Sequence, residues 1–127
     1  MDFVWDHTHY RCSNVDGTVK FFADHFGAKE LARRTVGDML IVRTEVGGQI
    51  VNFSPPRPGE VVERDAAGLQ YGVYHICLRV PDLDAAVTRL KSRGVRFTRE
   101  PSGAMAGVRV AFLEGPDRIS IELLEQK

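Results

Sequence analysis

The chain predicts an α+β fold made of two tandem βαβββ modules, and three observations predict it. Two strand-like segments open alike: His7-Thr8-His9-Tyr10-Arg11 and His75-Ile76-Cys77-Leu78-Arg79 each carry a histidine and, four residues on, an arginine. Each is followed by a turn, a short amphipathic segment and three further strand-like stretches. Equivalent residues also keep a nearly constant offset: His7 to His75 is 68 residues, Gly27 to Gly94 is 67, and Asn52 to Glu122 is 70. One such match is chance; three in the same order mark a duplication.

The elements follow in order. Asn14-Val15-Asp16-Gly17 leads into a helix over Thr18 to Phe26, with Val19, Phe22 and Phe26 on one face. Pro81-Asp82-Leu83-Asp84 leads into a second over Ala85 to Arg93, with Ala86 (or Val87) and Leu90 inward. Asp16, and Asp82 or Asp84, are the expected N-caps, and Gly27 and Gly94 the expected C-terminal caps. Strands are expected over Lys29 to Val36, Met39 to Thr44 and Gln49 to Ser54, separated by Gly37-Asp38 and Gly47-Gly48. In the second half they are expected over Arg96 to Glu100, Val108 to Glu114 and Arg118 to Leu124, separated by Pro101 to Gly107 and Gly115-Pro116-Asp117. Module one is therefore 1–54, a Pro- and Gly-rich connecting arm is 55–72, and module two is 73–127. One module of this size leaves a sheet face bare, so all 127 residues are read as a single domain in which two half-sheets line a cleft.

Composition narrows the function classes. Lys plus Arg and Asp plus Glu are both 17, so no basic excess points to nucleic acid or an anionic membrane surface. No apolar run approaches the roughly 20 residues that span a bilayer. The Met1 to Asp6 start lacks a basic, apolar leader, and Cys12 and Cys77 are too few for a disulfide scaffold. A cytoplasmic location is expected, with both cysteines as small core residues.

Side chains alternate along a strand, so His7, His9 and Arg11 share a face, as do His75, Cys77 and Arg79. In the last strand Ile119, Ile121 and Leu123 turn to the helices, and Ser120, Glu122 and Leu124 turn to the cleft. An inward carboxylate is costly unless paired. His7 or His9, with His75 and Glu122, makes a two-His-one-carboxylate set for a divalent metal. His25, late in the first helix, is expected at the surface or in a capping role.

A family resemblance rests on His7-Thr8 with Arg11, Phe21-Phe22 ending at Phe26-Gly27, His75-Ile76 with Pro81-Asp82-Leu83, and Phe97-Thr98-Arg99-Glu100. Its most specific part is Ala111-Phe112-Leu113-Glu114-Gly115-Pro116-Asp117 running into Ile119 to Leu124. Over nearly its whole length the chain resembles the glyoxalase/bleomycin resistance/dioxygenase (vicinal oxygen chelate) superfamily, and within it the glyoxalase I (lactoylglutathione lyase) branch. The resemblance implies that Glu122 is a metal ligand and catalytic base. It also implies His7 as the first-module ligand, because His7 stands 20 residues before Gly27, the family spacing, and His9 only 18. His9 becomes a substrate or supporting contact. Arg11 sits where glyoxalase I holds an anionic part of glutathione, although an arginine paired to a nearby carboxylate reads equally well.

One position departs from the family. Register puts Asn52 opposite Glu122, where glyoxalase I has a second glutamate. An amide oxygen binds a hard metal or a substrate but takes no proton at neutral pH, which puts a two-carboxylate isomerisation in doubt. The resemblance therefore implies a metal-dependent lyase or isomerase acting on a small oxygen-chelating substrate through an enediolate-type intermediate. Zn²⁺, Ni²⁺, Co²⁺ or Mn²⁺ suits that reading. The alternatives are an Fe²⁺ extradiol-type ring-cleaving dioxygenase and a ligand-sequestering binding protein of the bleomycin-resistance kind. A homodimer is expected as well, closed between the first module of one chain and the second of its partner.

Overall fold

Two short first strands, each followed at once by a capped helix, open the two halves of the chain. β1 (Thr8–Arg11), α1 (Val15–Phe26), β2 (Lys29–Val36), β3 (Met39–Val46) and β4 (Gln49–Ser54) form the first half. β5 (Ile76–Arg79), α2 (Leu83–Ser92), β6 (Phe97–Met105), β7 (Val108–Glu114) and β8 (Ser120–Gln126) form the second. The computed structural model describes residues 2–62 and 71–127, so the middle of the connecting arm lies outside the described residues. The chain divides into two compact units, Met1–Ala67 and Gly68–Lys127, each with one four-stranded sheet. The strand orders are β1-β4-β3-β2 and β5-β8-β7-β6. In both, the first strand runs parallel to the last and the remaining pairs are antiparallel. The fold is α+β, a βαβββ module repeated.

The helix starts correct the sequence reading. Asn14, not Asp16, caps α1: its side chain accepts a hydrogen bond from the Gly17 N–H at 2.9 Å. Asp16 falls in the first turn, where its carboxylate faces the positive helix end and accepts from Arg33 at 2.7 Å. Asp82 caps α2 in the same way through the Ala85 N–H. Gly27 ends α1 in the left-handed conformation and its N–H donates to Ala23 O, the closure expected of a glycine cap.

Each helix lies on one face of its own sheet. In the first unit Phe22 meets Phe53 of β4 with ring centroids 5.2 Å apart, and both are fully buried with Val42 of β3. Burying each such phenylalanine stabilises the fold by about 1.5–3 kcal/mol. In the second unit Leu83, Val87 and Leu90 of α2 are buried, as are Ile121 and Leu123 of β8, which resolves the Ala86 or Val87 choice in favour of Val87. A buried carboxylate, Glu125, accepts from the Leu83 N–H at 2.8 Å and ties β8 to the start of α2.

Five strands differ from expectation in their bounds. β3 runs on to Val46, and β8 begins at Ser120, after a 3-10 turn over Pro116–Arg118. β6 runs from Phe97 to Met105, through the stretch expected as a Pro101 to Gly107 loop. It is an edge strand, so Pro101 breaks no ladder that a central strand would need, and the register shifts between Arg99 and Ser102 absorb the irregularity. β1 and β5 begin at Thr8 and Ile76, so His7 and His75 stand one residue ahead of their strands. Cys12 is buried as expected; Cys77 is exposed, because its alternation places it away from the helix side of β5.

Candidate functional site

The internal register fixes which residues of the two modules are equivalent. In the first sheet His9 lies opposite Asn52; in the second Cys77 lies opposite Glu122. Stepping back two residues along each first strand gives His7 and His75. The backbone pairing thus bears out the alignment of Asn52 with Glu122 that the sequence spacing suggested.

In the first unit His7 is exposed, and its Nδ1 lies 2.6 Å from Asp6 Oδ2. This hydrogen bond holds the Asp6 carboxyl below the usual carboxylate range. A carboxylate on one ring nitrogen fixes the imidazole tautomer and directs the other nitrogen outward, the usual support of a metal-binding histidine. His9 Nε2 and the buried Ser54 Oγ are hydrogen-bonded at 2.7 Å. Burial, with the nearby His7, Arg11 and Arg57, lowers the His9 pKa. Asn52 is 8% exposed, and its Oδ1 has no hydrogen-bond partner among the described residues. Arg43 is its cross-strand neighbour. Arg11 donates to Glu60 from Nε at 3.3 Å and from Nη2 at 2.7 Å.

In the second unit His75 Nε2 lies 3.8 Å from Glu122 Oε2, and both side chains are largely covered. That gap is too long for a hydrogen bond. It is close to the separation of about 3–3.5 Å between two ligand atoms on one ion at roughly 2.0–2.2 Å from each. His75 Nδ1 is buried without a hydrogen-bond partner among the described residues. Aromatic rings frame this pair: Phe112, opposite Glu122 on β7, takes His75 edge-on at 5.2 Å and stacks with Tyr74 at 5.9 Å. The Arg99 guanidinium stands over the Phe112 ring, 5.9 Å from its centroid. His25 is half-buried against Phe21 at 4.7 Å, on the helix and away from either set.

Tyr74, Phe112, Asp6, Ser54 and Glu60 were not singled out from the sequence. Asp6 carried a readable signal, a carboxylate directly before the histidine. The others become neighbours only through strand pairing or the turn of the arm.

A model of the Glyoxalase/Bleomycin resistance protein/Dioxygenase superfamily matches residues 5–123. The chain belongs to this superfamily. Among its relatives, the probable lactoylglutathione lyase of Synechocystis is 27% identical over 94% of this chain and 92% of its own length. The probable chloroplastic lactoylglutathione lyase of Arabidopsis thaliana is 29% identical, again over 94% of this chain. The chain spans 35% of that protein's length and 43% of two further plant relatives. The solved glyoxalase I of Leishmania major is 26% identical, with a TM-score of 0.71 over 94% of this chain and 84% of that one.

Members of the glyoxalase I branch hold a divalent ion, and the donors here suit one. His7 has its carboxylate-supported ring, and His75 and Glu122 face each other without hydrogen bonding. Among the described residues no group of three His, Cys, Asp or Glu side chains is placed to hold a metal ion. The expected set takes His7 from the first module and His75 with Glu122 from the second. No helix among the described residues is long and apolar enough to cross a membrane.

Proposed function

We propose that the protein is a metal-dependent glyoxalase-like lyase or isomerase whose substrate is a small oxygen-chelating group carried on a thiol conjugate. The observation that carries this reading is the His75–Glu122 pair: an imidazole and a carboxylate 3.8 Å apart, neither satisfying the other. His7, His75 and Glu122 would hold the ion, and a divalent ion bound there would supply Lewis-acid chemistry to the substrate.

This chain's side chains then do the rest. Glu122 accepts the proton from the carbon next to the substrate carbonyl and returns it to the adjacent carbon, so no proton is lost overall. Asn52 cannot share that task, because an amide does not titrate; it presents an oxygen to the substrate or the ion. Phe112 and Tyr74 stack beside Glu122 and give the pair an aromatic flank. Arg11 meets an anionic part of the conjugate. The relatives named lactoylglutathione lyase support the hemithioacetal of methylglyoxal and glutathione as the first substrate to try.

We also infer a homodimer in which each site takes His7 from one chain and His75 with Glu122 from its partner. Pro55, Pro56 and Pro58 stiffen the start of the arm, which favours passing the second module to a neighbour.

The direct assay follows thioester formation from that hemithioacetal after metal loading. Turnover is expected, with Glu122→Gln reducing kcat at least about 100-fold, the scale of a lost general base. Catechol-dependent O₂ consumption without thioester formation would establish the Fe²⁺ dioxygenase reading instead. Tight ligand binding without turnover would establish sequestration.

A further inference from the structure

We propose that Glu60 is an internal competitor for carboxylates at Arg11, so that this fork admits the carboxylate of a ligand anchored elsewhere on the protein and turns away free small carboxylates. The proposal deepens the reading above, on which Arg11 meets an anionic part of the substrate.

Arg11 ends β1, and the arm folds back to it. Glu60 accepts from Arg11 Nε at 3.3 Å and Nη2 at 2.7 Å, and from the Arg57 backbone N–H at 2.6 Å. The Glu60 N–H in turn donates to Arg57 O at 3.0 Å, closing a turn in which Gly59 has a φ of +86°. That positive φ is one a glycine adopts at little cost. Two of these bonds are local to the arm, so the turn presents Glu60 to Arg11 whether or not Arg11 grips it. A planar guanidinium fork and a backbone N–H converging on one carboxylate make a carboxylate receptor, and here its occupant is tethered.

Two magnitudes decide how such a receptor behaves. The pair is open to water, with side-chain exposures of 62% for Arg11 and 33% for Glu60. An exposed pair of this kind shifts an equilibrium by about two- to five-fold, so Glu60 is displaceable. A tethered partner nevertheless acts at an effective concentration on the order of millimolar. A dilute free carboxylate loses to it. A ligand held by other contacts brings its own effective concentration and wins.

The test uses the full-length protein and the Arg11 side-chain Nε resonance, assigned with Arg11→Gln. Sodium acetate is titrated against sodium chloride at matched ionic strength, in the parent and in Glu60→Gln, which keeps an acceptor and the turn but removes the charge. The acetate midpoint is expected to fall about two- to five-fold in Glu60→Gln. Equal midpoints in the two proteins, or no response to acetate in Glu60→Gln, would overturn the proposal. Glu100→Gln removes one carboxylate from the other unit and is expected to leave the midpoint alone; an equal shift there would reduce the effect to net charge and also overturn it. In a second arm, S-methylglutathione replaces acetate. If it binds none of the proteins while the acetate midpoints differ, the thiol-conjugate reading fails and the role of Glu60 stands.

Discussion

At the scale of single residues, Asn52 separates this chain from the glutamate pattern of glyoxalase I. It occupies the place in the first sheet that Glu122 occupies in the second, and its Oδ1 is buried with no hydrogen-bond partner among the described residues. An unmet buried acceptor costs about 1–3 kcal/mol, and on the proposed reading the substrate or the ion meets it. Asn52→Glu places a carboxylate in the same cover. Without metal, the variant is expected to lose about 1–3 kcal/mol of stability, since a buried charge without a full set of partners is penalised more than an amide. With metal, it should bind the ion at least about tenfold more tightly, the scale on which support around a metal alters affinity. Denaturant unfolding with and without chelator, and a competitive metal titration, measure the two effects. A variant that is destabilised yet binds metal no better would show that position 52 does not face the ion.

At the scale of elements, what was legible in the sequence and what was not divide along physical lines. Strands bounded by glycine-containing turns, such as Lys29–Val36, Gln49–Ser54 and Val108–Glu114, stand where that punctuation put them. The α1 start was misplaced because Asn14 and Asp16 are both good caps, and only the Asn14–Gly17 bond chooses between them. β6 was cut short because Pro101 reads as a breaker until its strand is known to lie at the sheet edge. Of the candidate site, the histidines, Glu122 and Asn52 were readable from the repeat. Phe112 beside Glu122 and Ser54 beside His9 needed the pairing itself.

The β6–β7 turn offers a test at this scale. Gly107 has a φ of +76°, and a Cβ there would stand 2.6 Å from the Lys127 carbonyl oxygen. Gly37, in the β2–β3 turn, has a φ of +62° but open space around it. Gly37→Ala is expected to cost about 1 kcal/mol from conformation alone, and Gly107→Ala clearly more, because the end of β8 must also move. Equal losses in urea unfolding would mean that the chain end beyond β8 shifts freely.

At the scale of the whole molecule, the proposed function depends on the two βαβββ units contributing to one set of donors. Among the described residues no three His, Cys, Asp or Glu side chains stand together to hold an ion, so on the proposed reading the site forms only on assembly. If the modules are exchanged between chains, light scattering during a metal titration should show a dimer that binds the ion and, on dilution to monomer, loss of binding. A monomer with full metal affinity would exclude the exchange. The central claim, that His7, His75 and Glu122 hold one divalent ion, is tested most directly by elemental analysis of protein purified without chelators. His7→Ala, His9→Ala, His75→Ala and Glu122→Ala are carried in parallel. One ion per chain is expected in the parent and in His9→Ala, with affinity falling at least about tenfold in the other three. A parent that takes up no metal, or a site emptied by His9→Ala and retained in His7→Ala, would contradict it.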